Sequence, residues 1–109
     1  MKRRIPTARF APGTVVRHRH LKYRGLIYDV DAVYSEDEDW FELMADKSHA
    51  KDKPWYHVLV DGENHTTYVA EDNLECCFEM EDFNHPLFPH LFKAHPLDIG
   101  QFQIRYLVN

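Results

Sequence analysis

At 109 residues with 44% hydrophobic content, the chain is long enough for one compact core and too short for two. No run of about 18 apolar residues occurs, which excludes a membrane-spanning helix. The basic N-terminus lacks the apolar stretch of a signal peptide, so the expected location is the cytoplasm. The net charge of −5 hides a polarity along the chain. Eight of the thirteen basic residues, Lys2, Arg3, Arg4, Arg9, Arg17, Arg19, Lys22 and Arg24, precede Asp29, and none of the eighteen acidic ones does. The first segment is therefore +8, and the remainder, with five basic residues against eighteen acidic, is −13. Such an arm can meet phosphates or an acidic protein surface, or it can neutralise the acidic body of the same molecule or of a neighbour. A net acidic protein is repelled by DNA at long range, which favours neutralisation.

In chain order, residues 1–8 read as a flexible basic leader. Pro12-Gly13 then signals a turn feeding a short strand that places Val16, His18 and His20 on one side. Two histidines two apart on a strand can both reach a metal ion, but no Cys, Asp or third His lies nearby to complete the shell, so surface or partner-facing histidines are expected. Tyr23-Arg24-Gly25 gives a second turn signal, followed by a strand from Leu26 to Tyr34. Its faces are mixed, and a bend or bulge is expected near Asp29 to Asp31. That pair of acids suggests either a hard-cation or acid/base site, or two exposed partners for the basic arm; no second acidic motif at calcium-loop spacing supports the former. Ser35 to His49 predicts one short helix, with Ser35 and Glu38 as a capping box and Trp40 and Met44 one turn apart. An acidic aromatic loop that binds a partner is the alternative.

Lys53 to Leu74 is the most informative stretch. Trp55–Val60 and Thr66–Ala70 read as two strands joined through Asp61-Gly62 and Asn64, a β-hairpin. Alternation puts Tyr56, Val58 and Val60 on the better core face and leaves Trp55, His57 and Leu59 on a face that is covered or offered to a partner. Asp72 or Asn73 can cap a short turn before Leu74 enters the core. Leu74 to Met80 predicts a final strand of the module. Its adjacent thiols, Cys76 and Cys77, are expected to be reduced, since a disulfide between neighbours is strained. Pro86, Pro89 and Pro96 interrupt regular structure in the tail, where the spacing of Leu87, Phe88, Leu91 and Phe92 allows a turn or two of helix after Pro89. His85, His90 and His95 recur every five residues, which argues against a shared metal. The end alternates Phe102, Ile104, Tyr106 and Val108, a half-buried strand.

There is no Gly-rich phosphate loop, Cys-x-x-Cys pair, Gly-x-Ser-x-Gly elbow or His-Glu-x-x-His. Cys77 with a distant His is a conceivable nucleophile pair, but packing is the simpler role. No enzyme, cofactor or metal is expected, and elimination favours a binding or adaptor module.

Four segments then carry a resemblance: Gly13-x-x-Val16-x-His18, Tyr23-x-Gly25-x-Ile27-x-Asp29-x-Asp31, Pro54-Trp55-Tyr56-His57-Val58, and Tyr68-Val69-Ala70-Glu71-Asp72-Asn73-Leu74. In this order and spacing the chain resembles the heat-shock protein HspQ family, also called YccV-like or hemimethylated DNA-binding, over roughly residues 9–77. Ala32 stands where the family often has Pro. The tail from Phe83 differs from the polar tail of bacterial members, and Asn84-His85-Pro86 to Phe92 is similar to the segment after the same module in larger F-box proteins. The resemblance implies a mainly β fold, a small SH3-like, strongly bent antiparallel β-barrel over residues 9–80, with the extension 81–109 packed on it. It implies a non-enzymatic proteostasis adaptor that binds the Lon protease and enhances degradation of selected substrates, or a protein that binds hemimethylated DNA. The recognition centre expected is Tyr23, Trp55, Tyr56, His57 and Tyr68, with core packing the alternative for each and the favoured role for Tyr56 and Tyr68. Arg17, Arg19, Lys22 and Arg24 are the expected DNA contacts. Exposed strand edges suggest a homo-oligomer.

Overall fold

The computed structural model describes residues 8–34 and 53–105. Residues 1–7 of the leader, the helix expected within Ser35 to His49, and Tyr106 and Val108 lie outside the described residues. The fold is mainly β, built from β1 (Val15–His18), β2 (Arg24–Asp31), β3 (Trp55–Val60), β4 (Thr66–Ala70), β5 (Leu74–Cys76), a four-residue helix α1 (Phe88–Leu91), β6 (Phe92–Asp98) and β7 (Gln101–Ile104). The first five strands form one antiparallel sheet in the order β4-β3-β2-β1-β5, and β6 and β7 form a hairpin of their own. The bent sheet is the SH3-like arrangement the resemblance implies. The barrel is not closed, because β4 and β5 are joined by a 3-10 turn, Glu71–Asn73, and remain the two edges of the sheet.

The β3–β4 hairpin folds as the pattern predicts, with Gly62 in its turn at φ +80. Neither Asp72 nor Asn73 caps the following turn, although Leu74 enters the core as expected. The turn read at Tyr23-Arg24-Gly25 falls earlier, at Lys22, whose φ is 67. The cause is His18. Its Nδ1 accepts the amides of His20 and Leu21, and its backbone carbonyl accepts the amide of Lys22, so the reversal is complete before Tyr23. His18 is consequently buried rather than surface-facing. Gly25 serves close packing within β2 instead, since a Cβ there would stand 2.3 Å from Val58 Cγ1. The strand expected from Leu74 to Met80 ends at Cys76. Pro96 lies within β6, in a two-stranded hairpin where one side of every strand needs no ladder partner.

Both faces of the sheet are covered. Inside the bend, Phe10, Val16, Ile27, Tyr56, Val58, Val69 and Leu74 form one core. On the other face Val15, Leu26 and Leu59 pack with Cys77 and with Phe92 and Phe102 from the C-terminal segment. This is why Trp55–Val60 is buried almost throughout rather than at alternate positions. The C-terminal hairpin is also tied to β1 by backbone: Val15 N donates to Gly100 O at 2.8 Å and Phe102 N to Gly13 O at 2.7 Å. Among the described residues every buried side-chain nitrogen and oxygen has a partner.

Gly13 and Gly62 test this account because both have positive φ, yet only Gly13 is enclosed, with an added Cβ 2.1 Å from Phe102 O. Gly62→Ala is expected to cost about 1–2 kcal/mol from backbone conformation alone, and Gly13→Ala about 3–5 kcal/mol because overpacking adds to it. Urea unfolding measures both; equal losses would show that β7 does not press on the start of β1.

Candidate functional site

A register shift in β2 builds the site. β2 pairs Ile27 with Val58 but Asp29 with His57, so Tyr28 is an extra residue in the ladder. The bulge expected near Asp29 therefore lies one residue earlier and reverses the alternation after it. Asp29 and Asp31 fall on the Trp55/His57 face, where β4 adds Tyr68 opposite His57. Asp31 Oδ2 accepts the Tyr68 hydroxyl at 2.7 Å and lies 3.0 Å from His57 Nε2, which therefore donates to it. The Trp55 and Tyr68 rings stack with centroids 5.3 Å apart, and His57 lies 4.6 Å from Tyr68. Tyr34 closes over Trp55 at 5.1 Å and Tyr28 flanks His57 at 5.8 Å. Trp55 is only 2% exposed, whereas the His57 and Asp31 side chains are 22% and 23% exposed, so this end of the sheet presents a polar window in an aromatic wall.

Three of the five residues singled out as a recognition centre thus meet: Trp55, His57 and Tyr68. Tyr56 points to the opposite face. Its hydroxyl donates to Glu71 Oε1 at 2.5 Å and accepts the amides of Arg9 and Phe10, while Glu71 also accepts the Arg9 amide at 2.9 Å. Tyr56 is a core strut joining the start of the described chain to the 3-10 turn. Tyr23 packs against that same core with its hydroxyl 2.8 Å from Thr67 Oγ1.

The basic residues gather at the β1–β2 hairpin, where Arg17 and Arg24 are register partners. Arg24 is fully engaged: it grips Asp61 Oδ2 at 2.7 Å, donates to the carbonyls of Glu79 and Glu81, and lies 5.4 Å over the Phe83 ring. Arg17 pairs with Glu79 at 2.8 Å, and Arg19 donates to Leu74 O. Lys22 is exposed at the tip, without an ion pair among the described residues. Over residues 8–96, a span that takes in all of these groups, the chain matches the family model described as hemimethylated DNA-binding protein YccV-like. The chain belongs to that family. The match covers the whole five-stranded sheet, α1 and most of β6.

Three contributors have no local signal as site residues: Asp31, Tyr28 and Tyr34. Asp31 is the acceptor that holds His57 and Tyr68; its register opposite Trp55 is set by the bulge, which the local sequence locates only approximately. Asp29, Asp31 and His57 also place one ligand atom each within 4.8 Å of one another, a grouping invisible until β3 is laid beside β2. Within that grouping Asp31 Oδ2 holds the Tyr68 hydroxyl and His57 Nε2. Tyr28 and Tyr34, residues of the expected β2 stretch, supply the flanking rings.

Burial raises Tyr56 well above the ordinary phenol range, and the hydrogen bond to Glu71 with its negative charge pushes the same way. The unfolded chain releases that proton near about pH 10, while the folded chain keeps it. Stability is therefore intact below about pH 10 and is lost as pH rises beyond it. Tyr56→Phe is expected to cost about 1–2 kcal/mol at neutral pH and to make the alkaline decline shallower. Tyr23, also raised by burial, keeps part of the slope. Urea titrations at several pH values read both effects; an unchanged alkaline slope would contradict the Tyr56 assignment.

Truncation separates wall from window. Trp55→Ala should lower stability by about 3–5 kcal/mol, and His57→Ala by about 1 kcal/mol, the worth of a single hydrogen bond. A melting temperature unmoved by Trp55→Ala would place that ring on the surface.

Proposed function

We propose that the chain is a non-enzymatic adaptor of protein quality control that acts in the cytoplasm, binds the Lon protease and promotes degradation of selected substrates. One observation carries this reading: the surface chemistry still unused favours protein contact over phosphate contact. Arg24 and Arg17 are occupied by carboxylates and carbonyls of the same chain. Phe78, Leu97 and Ile99 meanwhile stand 66%, 59% and 76% exposed, large apolar groups that a partner protein can cover. Family membership is compatible with the role, and the open edges at β4 and β5 suit a homo-oligomer.

Binding of hemimethylated DNA is the second reading, favoured by the description of the family model and by the cations at the hairpin tip. Arg19 and Lys22 are the contacts it would use. Phosphate recognition through two cations predicts about a tenfold loss of affinity for a fourfold rise in salt, and an apolar protein contact predicts far less.

The decisive experiment is degradation of a Lon substrate by purified Lon and ATP with increasing amounts of this protein. Acceleration that saturates with dose is the expected result. No acceleration, with Lon active and this protein folded, would sink the adaptor reading, and a gel shift on hemimethylated against fully methylated duplex across salt would then decide the second.

A further inference from the structure

Between the C-terminal hairpin and the segment that follows β5 lies a groove of about 290 Å³, floored by Met80, Phe83, Phe88 and Phe102 and flanked by Glu81 and Asp82. Its size is at the lower limit for a ligand site, room for one or two side chains rather than a cofactor. The floor is aromatic: Phe88 meets Phe102 edge to face at 5.0 Å and lies 5.9 Å from Phe83. The flanking acids are both exposed, and their carboxylates have no hydrogen-bond or ion-pair partner among the described residues. Asp82 is held there with φ 60, in the left-handed region that Asp tolerates better than most residues. Ala94 and Pro96 of β6 complete the lining.

An aromatic floor with unpaired carboxylates beside it is complementary to a cation carried on an apolar stem. The chain itself supplies the example. Arg24 already seats its guanidinium over Phe83, against the carbonyls of Glu79 and Glu81. We propose that the groove docks a short basic segment of a partner protein, with an Arg or Lys side chain over the aromatic floor beside Glu81 and Asp82. Nucleic acid is disfavoured here by the sign of the rim. The proposal gives the adaptor reading a recognition chemistry and rests on it for its biological use. It is tested without the protease, so the two fail separately.

The probe is a fluorescein-labelled peptide, Gly-Leu-Arg-Phe-Arg-Gly, and its counterpart with neutral citrulline at both arginines, followed by anisotropy with the full chain. Saturable binding with Kd on the order of 10–100 μM is expected. The citrulline peptide, and the Glu81→Gln/Asp82→Asn double variant with the original peptide, should each bind about 5- to 10-fold more weakly. Ala94→Arg, which sets a cation of the chain's own at the groove, should abolish binding while the melting temperature holds. Amide shifts on peptide addition should fall on Asp82, Phe83, Ala94 and Phe102. Three results would overturn the proposal: no binding at about 1 mM peptide, equal binding of the citrulline peptide, or shifts confined to another face. Concentration-dependent sedimentation of the free chain that disappears in the double variant would also overturn it, by giving the groove to a second copy.

Discussion

The structure depends on one misplaced residue in a ladder. With strict alternation β2 would send Ile27, Asp29 and Asp31 to one face and Tyr28 and Val30 to the other. The shift at Tyr28 lets Ile27 and Val30 both meet the core around Tyr56, and turns the two carboxylates toward His57 and Trp55. Facing inward, each carboxylate would be buried among Phe10, Val16 and Leu74 without a counter-charge, at a cost of several kcal/mol. Facing outward, Asp31 gains two donors and fixes two rings. Core and candidate site are therefore two results of the same insertion, and neither can be redesigned without the other.

The second constraint is that a sheet this small is buried on both sides. A five-stranded sheet with one solvated face would have left Leu26 and Leu59 wet; Phe92 and Phe102 cover them instead. The C-terminal segment is thus structural to the same degree as β1, and its hold is both backbone, through Gly13 and Gly100, and electrostatic, through Arg24 on the carbonyls of Glu79 and Glu81 and through Asp61, which accepts the Asn84 amide while paired with Arg24. Arg24 is 14% exposed in its side chain, and its charge is matched by a carboxylate and two carbonyl dipoles, the conditions under which an ion pair resists screening. Part of the charge polarity along the chain is resolved here, basic strands against acidic turns of the same molecule.

Local signals were legible where the backbone alone decides. The β3–β4 hairpin, the Pro12-Gly13 turn and the helical turn near Pro89 follow from residues adjacent in sequence. What failed was decided at long range. Nothing near Tyr23-Arg24-Gly25 says that His18 has already turned the chain, or that Gly25 is needed because Val58 crosses it. The alternation favours the core for Tyr56, but only Glu71, fifteen residues away, shows what its hydroxyl does there, by accepting its hydrogen bond. The aromatic site was half legible for the same reason: Trp55, His57 and Tyr68 follow from the hairpin register, but Asp31 joins them only because the bulge has changed the phase of its own strand against β3.

This distribution of satisfied and unsatisfied groups bears on function. The Trp55, His57 and Tyr68 cluster already spends its hydrogen bonds internally on Asp31, so its outward chemistry is limited to the partly exposed edge of His57 and Asp31. Recognition requires groups that gain more from a partner than from the chain itself. Among the described residues such groups stand at the Arg19 and Lys22 tip, with positive charge, and at the Glu81 and Asp82 rim, with negative charge beside half-buried aromatic rings. They have opposite sign and share no residue, so a phosphate-binding role and a peptide-binding role draw on separate side chains. A substitution that removes one need not disturb the other, which makes the family's description and the adaptor reading physically compatible in a single chain rather than competing claims on one surface.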